Sequence, residues 1–200
     1  LNYNIDVLTR ERNALTNEFK MEIGKRTAEM NAKMKEIENE KDLLSKKVAY
    51  QNKINEQYKL VNQLFIDKDA LVFRKGNDVI ISMQGFGFDV GESDIKPEYF
   101  GLLTKIQEAI STFPDSKVIV AGYTDSFGSD ASNLKLSQER SDAVTTYLRA
   151  NMPALNNRNI SSIGYGENNP IANNETIEGR SKNRRIDIII KNDDDLLSLK

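Results

Sequence analysis

The chain has 200 residues, 38% of them hydrophobic, with 28 basic and 30 acidic side chains and a formal net charge of −2. That is enough for one ordinary core plus an extended element, and the interspersed charges offer no bulk field for nucleic acid or a membrane surface. Histidine and cysteine are both absent, which excludes Ser-His-Asp and Cys-His nucleophiles, zinc sites and thiol redox chemistry, and makes a binding protein a better expectation than an enzyme.

From Leu1 to about residue 67 there is no proline and one glycine, Gly24, among many Lys, Glu, Asn, Met and Leu residues. Apolar residues recur at Leu8, Leu15, Phe19, Ile23, Met30, Met34, Ile37, Leu44 and Val48 in gaps of three, four or seven. This stripe is too narrow for a globular core and predicts a long helix, either a coiled-coil seam that joins a partner or a second copy, or a solvated spacer. If helical throughout, about 67 residues reach about 100 Å. No run of about twenty apolar residues is present to span a bilayer. The chain starts at Leu1, so a fragment is expected, with any membrane anchor lying upstream.

After residue 67 the period changes. "ALVFRKGNDVIISMQ" reads as two short strands around a turn at Gly76-Asn77. "KPEYFGLLTKIQEAISTF" predicts a helix with Pro97 in its first turn and an apolar face of Tyr99, Leu102, Leu103, Ile106 and Ile110. A strand "SKVIVAGYTD", a helix "SNLKLSQERSDAVTTYLRA", a strand "ISSIGYGE" and a strand "RRIDIIIK" with alternating Ile186, Ile188 and Ile190 follow. The expected organisation is a helix over 1–67, a compact unit over 68–192 in β-α-β-α-β-β order, and a frayed acidic tail over 193–200.

Two charges stand out in "GYTDSFGSDASNLKLSQER". Asp125 closes an apolar strand, and a helical wheel sets Arg140 near the middle of an arc formed by Leu136, Ala143, Val144 and Tyr147. A guanidinium keeps its charge, so its burial requires an anion. One reading is an internal Asp125–Arg140 salt bridge. The other is a ligand site, because the polar loop from Ser126 to Ser132 forms a rim on which an acid and a base are complementary to a zwitterion.

These stretches resemble the OmpA-like peptidoglycan-binding domain. The resemblance rests on Gly122, Thr124 and Asp125; on Asn133, Leu136, Ser137, Arg140 and Val144; on "FGFDVGESDIKPE"; and on "GYGENNPIANNETIEGRSKNRR" with "NRRIDI". It covers about residues 70 to 192 and implies an α+β fold, an α/β sandwich of OmpA-like type, behind the long N-terminal helix. It further implies non-catalytic binding of bacterial peptidoglycan in the cell envelope. Asp125 and Arg140 would hold the amino and carboxyl groups at the side-chain end of diaminopimelate, and Asn133, Thr124, Leu136 and Asp89 would line the groove. Gly91 departs from the family, where a polar residue is usual, and Ser141 stands where alanine is usual.

No catalytic residue, cofactor or metal is expected. Arg180, Arg184 and Arg185 read as internal ion pairs beside an edge strand, "GFG" at 85–87 lacks the lysine of a phosphate loop, and Asp193 to Asp195 lack calcium-loop spacing. A static envelope tether with peptidoglycan as partner is the first functional expectation, with a homodimer through the helix and an envelope protein as further partners. A MotB-type motor stator is the second. A wall-cleaving enzyme using Asp89 and Glu92 is the third, and it lacks a histidine or metal set.

Overall fold

The computed structural model describes residues 2–65, 69–88, 91–153, 155 and 160–192. The chain divides into two units, Leu1–Tyr50 and Gln51–Lys200. Helix α1 runs over Asn2–Leu64, and the division falls inside it, well before residue 67. In the first unit the stripe from Leu8 to Val48 is exposed along its length.

The end of α1 has a different character. Ile54 and Val61 are buried, as is Phe65 just beyond the helix. Gln57 donates to the Thr112 carbonyl at 2.5 Å, and the Tyr58 hydroxyl donates to the Val72 carbonyl at 3.3 Å. Isoleucine, valine and phenylalanine at four- and seven-residue intervals thus turn one helical face into core, while the upstream stripe stays in water.

Five strands follow among the described residues: β1 (Leu71–Lys75), β2 (Asp78–Gln84), β3 (Lys117–Tyr123), β4 (Ile160–Gly164) and β5 (Arg185–Lys191). Between them lie α2 (Phe100–Ser111), α3 (Asp130–Asn151) and α4 (Ile177–Asn183). The β1–β2 hairpin turns at Gly76-Asn77 with Gly76 at φ 64°, a value glycine adopts without steric cost. Pro97 opens a 3-10 turn, Pro97–Tyr99, directly ahead of α2, where its missing N–H costs nothing. The short helix α4 has no counterpart in the strand and helix order read from the sequence. Its seven residues are too few to show a period, although Thr176 caps it by accepting from the Gly179 N–H at 3.0 Å.

The sheet order is β1-β2-β5-β3-β4, antiparallel except for the β3–β4 pair. The last strand therefore lies in the middle of the sheet, which corrects the expectation of an edge strand. Alternation on β5 sends Ile186, Ile188 and Ile190 into the core with Val79, Ile81, Met83, Val118 and Val120. Helix α2 adds Leu103, Ile106 and Ile110 to that core, and α3 adds Val144 and Leu148. The result is an α+β fold.

Candidate functional site

The β3–β5 register pairs Tyr123 with Arg185. In an antiparallel pair the chain beyond Tyr123 therefore runs beside the chain before Arg185, which brings Asp125 next to Arg184. Helix α3 starts directly after the intervening loop. Ser129 caps it by accepting from the Ser132 N–H at 3.3 Å, and Asp130 places a negative charge at its N-terminus.

The helix approaches the sheet closely because glycines allow it. A Cβ on Gly122 would collide with the Ser137 carbonyl, and one on Gly164 with the Gln138 backbone nitrogen. Small Ser137 and Ser141 fill the same seam and are fully buried. Ser137 Oγ accepts from the Gly166 N–H at 2.8 Å, Gln138 Oε1 accepts from the Gly164 N–H at 2.7 Å, and Thr124 N–H donates to the Gly166 carbonyl at 2.8 Å. The buried side of α3 is consequently Asn133, Ser137, Arg140, Ser141, Val144, Thr145 and Leu148. It is rotated from the apolar arc of the wheel, and Leu136 and Tyr147 are only half-buried.

Asp125 is 8% exposed. Its Oδ2 accepts from Arg184 Nη1 at 2.6 Å and its Oδ1 from the Phe127 N–H at 3.1 Å. Among the described residues the ion-pair partner of Asp125 is thus Arg184, one of the three arginines whose sequence context points to internal ion pairs. Arg140, 6% exposed, donates from Nε to the Glu92 carbonyl at 2.9 Å, and its guanidinium lies 4.9 Å over the ring of Phe88. Burial, and then the neighbouring Arg184 charge, lower the Arg140 pKa from the usual guanidinium range, while Asp125 opposes them. A guanidinium still stays protonated at neutral pH. One buried carboxylate is therefore coupled to two guanidinium groups, a set whose charges are complementary to an ammonium at Asp125 and a carboxylate at the arginines.

The other expected residues divide. Asn133 is buried and ties the loops together, donating from Nδ2 to the Asp125 carbonyl at 3.3 Å and to Glu167 Oε2 at 2.7 Å. Thr124 is buried beside Asp125, and its hydroxyl has no hydrogen-bond partner among the described residues. Leu136 is half-buried one turn before Arg140. Asp89 lies outside the described residues, as does the acidic tail over 193–200. The loop after it meets Arg140 through the backbone at Glu92, so Gly91, at φ 76°, shapes that loop without a side chain.

Arg184, Phe88 and Glu167 were missed as site residues. The "NRR" and "FGFD" motifs contained the signal for the first two. Their contacts depend on strand register and loop closure across distant segments.

Arg185 belongs to a separate buried cluster. Its Nε donates to Asp187 Oδ2 at 3.2 Å, Ser82 Oγ donates to Asp187 Oδ1 at 2.6 Å, and its guanidinium lies 3.6 Å from the Tyr123 ring centroid. Burial raises the Asp187 pKa against the pull of Ser82 and Arg185. Burial, and then the Asp187 charge, push the Tyr123 phenol up to about 12. Arg180 donates to the Asn174 and Glu175 carbonyls. Asn183, fully buried, accepts from the Ile171 and Ala172 N–H groups and donates to the Ala172 carbonyl, which sets the chain ahead of Arg184.

A family model described as OmpA family matches residues 87–184. Over 105 residues the chain is 41% identical to the peptidoglycan-binding protein ArfA of Mycobacterium tuberculosis, a match that takes in 52% of this chain and 31% of that protein. Over 104 residues it is 39% identical to outer membrane porin F of Pseudomonas fluorescens, again 52% of this chain and 31% of that protein. The chain thus spans about a third of the length of these two relatives. Among solved structures, the cell wall anchor of the T6SS from Pseudomonas aeruginosa is similar at TM-score 0.58 and 23% identity, over 66% of this chain and 97% of that one. The periplasmic domain of Helicobacter pylori MotB is similar at TM-score 0.57 and 22% identity, over 66% of this chain and 85% of that one. At such identities these two likenesses establish the fold. Residues 87–184, which hold Asp125, Asn133, Arg140 and Arg184, are an OmpA family domain.

Proposed function

We propose that this chain is a non-catalytic tether of the bacterial cell envelope that binds peptidoglycan through its OmpA family domain. The observation that carries this reading is the buried Asp125 carboxylate with Arg184 paired to it and Arg140 beside it. Such a set matches the zwitterionic side-chain end of diaminopimelate, or of an equivalent diamino acid, in the stem peptide. The ligand ammonium replaces Arg184 at Asp125, and the ligand carboxylate then faces Arg140 and the released Arg184. The likeness to ArfA, a protein named for binding peptidoglycan, supports the same reading.

Charge-assisted hydrogen bonds contribute about 1.5–3 kcal/mol each, so two of them at an accessible site give millimolar to micromolar affinity. That is weak for one stem peptide and adequate for a polymer that offers many. The exposed stripe on α1 supports pairing of two copies through that helix, which doubles the number of heads on the wall. A periplasmic, outer-membrane-associated location follows from the function.

The test is sedimentation with purified cell wall. Asp125→Ala and Arg140→Ala are expected to lower the bound fraction at least about tenfold. If both variants sediment as the parent does, the reading is wrong. Wall whose diamino acid lacks the side-chain carboxylate tests the finer assignment, since equal binding there removes the diaminopimelate specificity and leaves the tether. No muropeptides are expected in the supernatant.

The likeness to MotB periplasmic domains favours one second reading, a motor stator recruited to the wall by the same head. A membrane helix bearing an aspartate upstream of Leu1 in the full reading frame supports it. A lipid-modified cysteine or a β-barrel there supports the static tether.

A further inference from the structure

The loop that carries Asp125 also presents an aromatic ring that the zwitterion site leaves unused. Phe127 is 68% exposed, although its own N–H is fixed on Asp125 Oδ1. An exposed phenylalanine at a loop tip is ordinarily a hydration cost with many rotamers. Here the ring is held in place: the Arg180 guanidinium lies 5.0 Å from its centroid. Arg180 in turn is anchored by donating from Nη1 to the Asn174 carbonyl at 2.9 Å and the Glu175 carbonyl at 3.1 Å. The ring is thus ordered by a cation–π contact and still open to solvent, two residues along the chain from the buried carboxylate.

From this geometry we propose that Phe127, held by Arg180, is a stacking platform for a hexose ring of the glycan that bears the stem peptide. The proposal rests on the peptidoglycan reading above. Depth orders the site. Asp125 and Arg140 are nearly buried, so a short peptide end reaches in to them while the polysaccharide backbone stays outside, level with the exposed rim. Chemistry selects the ring. The stem peptide offers methyl groups and polar groups, whereas the flat C–H face of a hexose is the ligand's one broad surface with slightly positive hydrogens. Such a surface complements the negative face of an aromatic ring. The contact makes the domain a reader of glycan and peptide together, and favours intact wall over free peptide.

The experiment measures binding of a disaccharide-peptide and of the same peptide with its sugars removed, by calorimetry, to the parent and to Phe127→Ala, Phe127→Leu and Phe127→Trp. The expected result is a loss of about 3- to 10-fold for the disaccharide-peptide in Phe127→Ala and Phe127→Leu, the range that aromatic stacking supplies. Phe127→Trp is expected to retain it, and all four proteins to bind the free peptide within about twofold of one another. Equal losses on both ligands place the ring on the peptide and overturn the proposal, as does no loss on either. Asp125→Ala separates the two levels, because it is expected to lose both ligands. If it retains both, the peptidoglycan reading itself fails, whatever Phe127 does.

Discussion

Removing residues 1–50 and removing residues 1–65 are expected to have opposite consequences for the compact unit. The first cut leaves Gln51–Lys200 whole. The second removes Ile54, Val61 and Phe65, at 2%, 0% and 5% exposure, with the Gln57–Thr112 and Tyr58–Val72 hydrogen bonds. Full burial of such side chains contributes about 1.5–3 kcal/mol each, so the three together stabilise the unit by about 6 kcal/mol, an upper figure because the unfolded chain is itself partly compact. Domains of this size are stable by about 5–15 kcal/mol. The 66–200 piece is therefore expected to unfold at low urea or to be unfolded in buffer, while the 51–200 piece keeps the urea midpoint of the full chain's compact unit. Urea titration followed by circular dichroism at 222 nm measures both, and Val61→Ala in the full chain, at about 2 kcal/mol, gives the same information without a truncation. Equal midpoints for the 51–200 and 66–200 pieces refute the assignment of the helix end to the core.

Three further outcomes follow from the site and its support. Gly122→Ala and Gly164→Ala each drive a methyl group into the backbone of α3; each is expected to cost about 3 kcal/mol in urea unfolding and to weaken wall binding by displacing Asp125 and Arg140. A double-mutant cycle on Asp125→Ala and Arg184→Ala is expected to give a coupling of about 1 kcal/mol, small because the Arg184 side chain is 43% exposed. Zero coupling would remove the ion pair from the folded state in solution. Tyr123 is raised from 10.0 to about 12, so the folded protein keeps a phenol proton that the unfolded chain loses. Its contribution to stability is present below pH 10 and lost as pH rises from 10 to 12. Phenolate absorbance at 295 nm should show a tyrosine titrating near 12 that disappears in Tyr123→Phe, which should also lose less stability across that window.

Periodicity carried the fold because most elements are long enough to show it. The hairpin, α2, α3 and the alternating isoleucines of β5 could all be read from spacing and turn residues. Helix α4 could not, since it lasts two turns and its capping threonine sits among other polar residues. The position of β5 was misjudged for a different reason: strand order is a long-range property, and a run of arginines before a strand looks the same at an edge as in the centre. The wheel erred by a rotation because it ranks apolar residues, whereas the α3 seam is set by Gly122 and Gly164, which admit serines and helix backbone in place of large side chains. Asp125 and Arg140 were legible as charges out of place. Arg184 was not, because its approach to Asp125 is written in the Tyr123–Arg185 register.

That same register gives the site its directionality. Asp125 sits beyond the end of β3 and Arg184 at the head of the central strand, so their separation is fixed by the sheet. Arg140 comes from a helix pinned to the sheet by the glycine seam and aimed by the Glu92 carbonyl and the Phe88 face. One of the three charges is thus held by β3, one by β5 and the third by α3. A ligand that displaces Arg184 from Asp125 loses one charge-assisted contact and regains one, so the net cost is the rearrangement of a half-exposed side chain. A ligand with an ammonium alone gains no contact at Arg140 and pays the full exchange. A ligand with a carboxylate alone leaves the Asp125–Arg184 pair in place and finds only Arg140, already seated on a carbonyl and an aromatic ring. On the proposed function only a group carrying both signs at one end engages all three, and simple amines or simple carboxylates are therefore expected to compete poorly with the stem peptide for the cell wall's place on the domain.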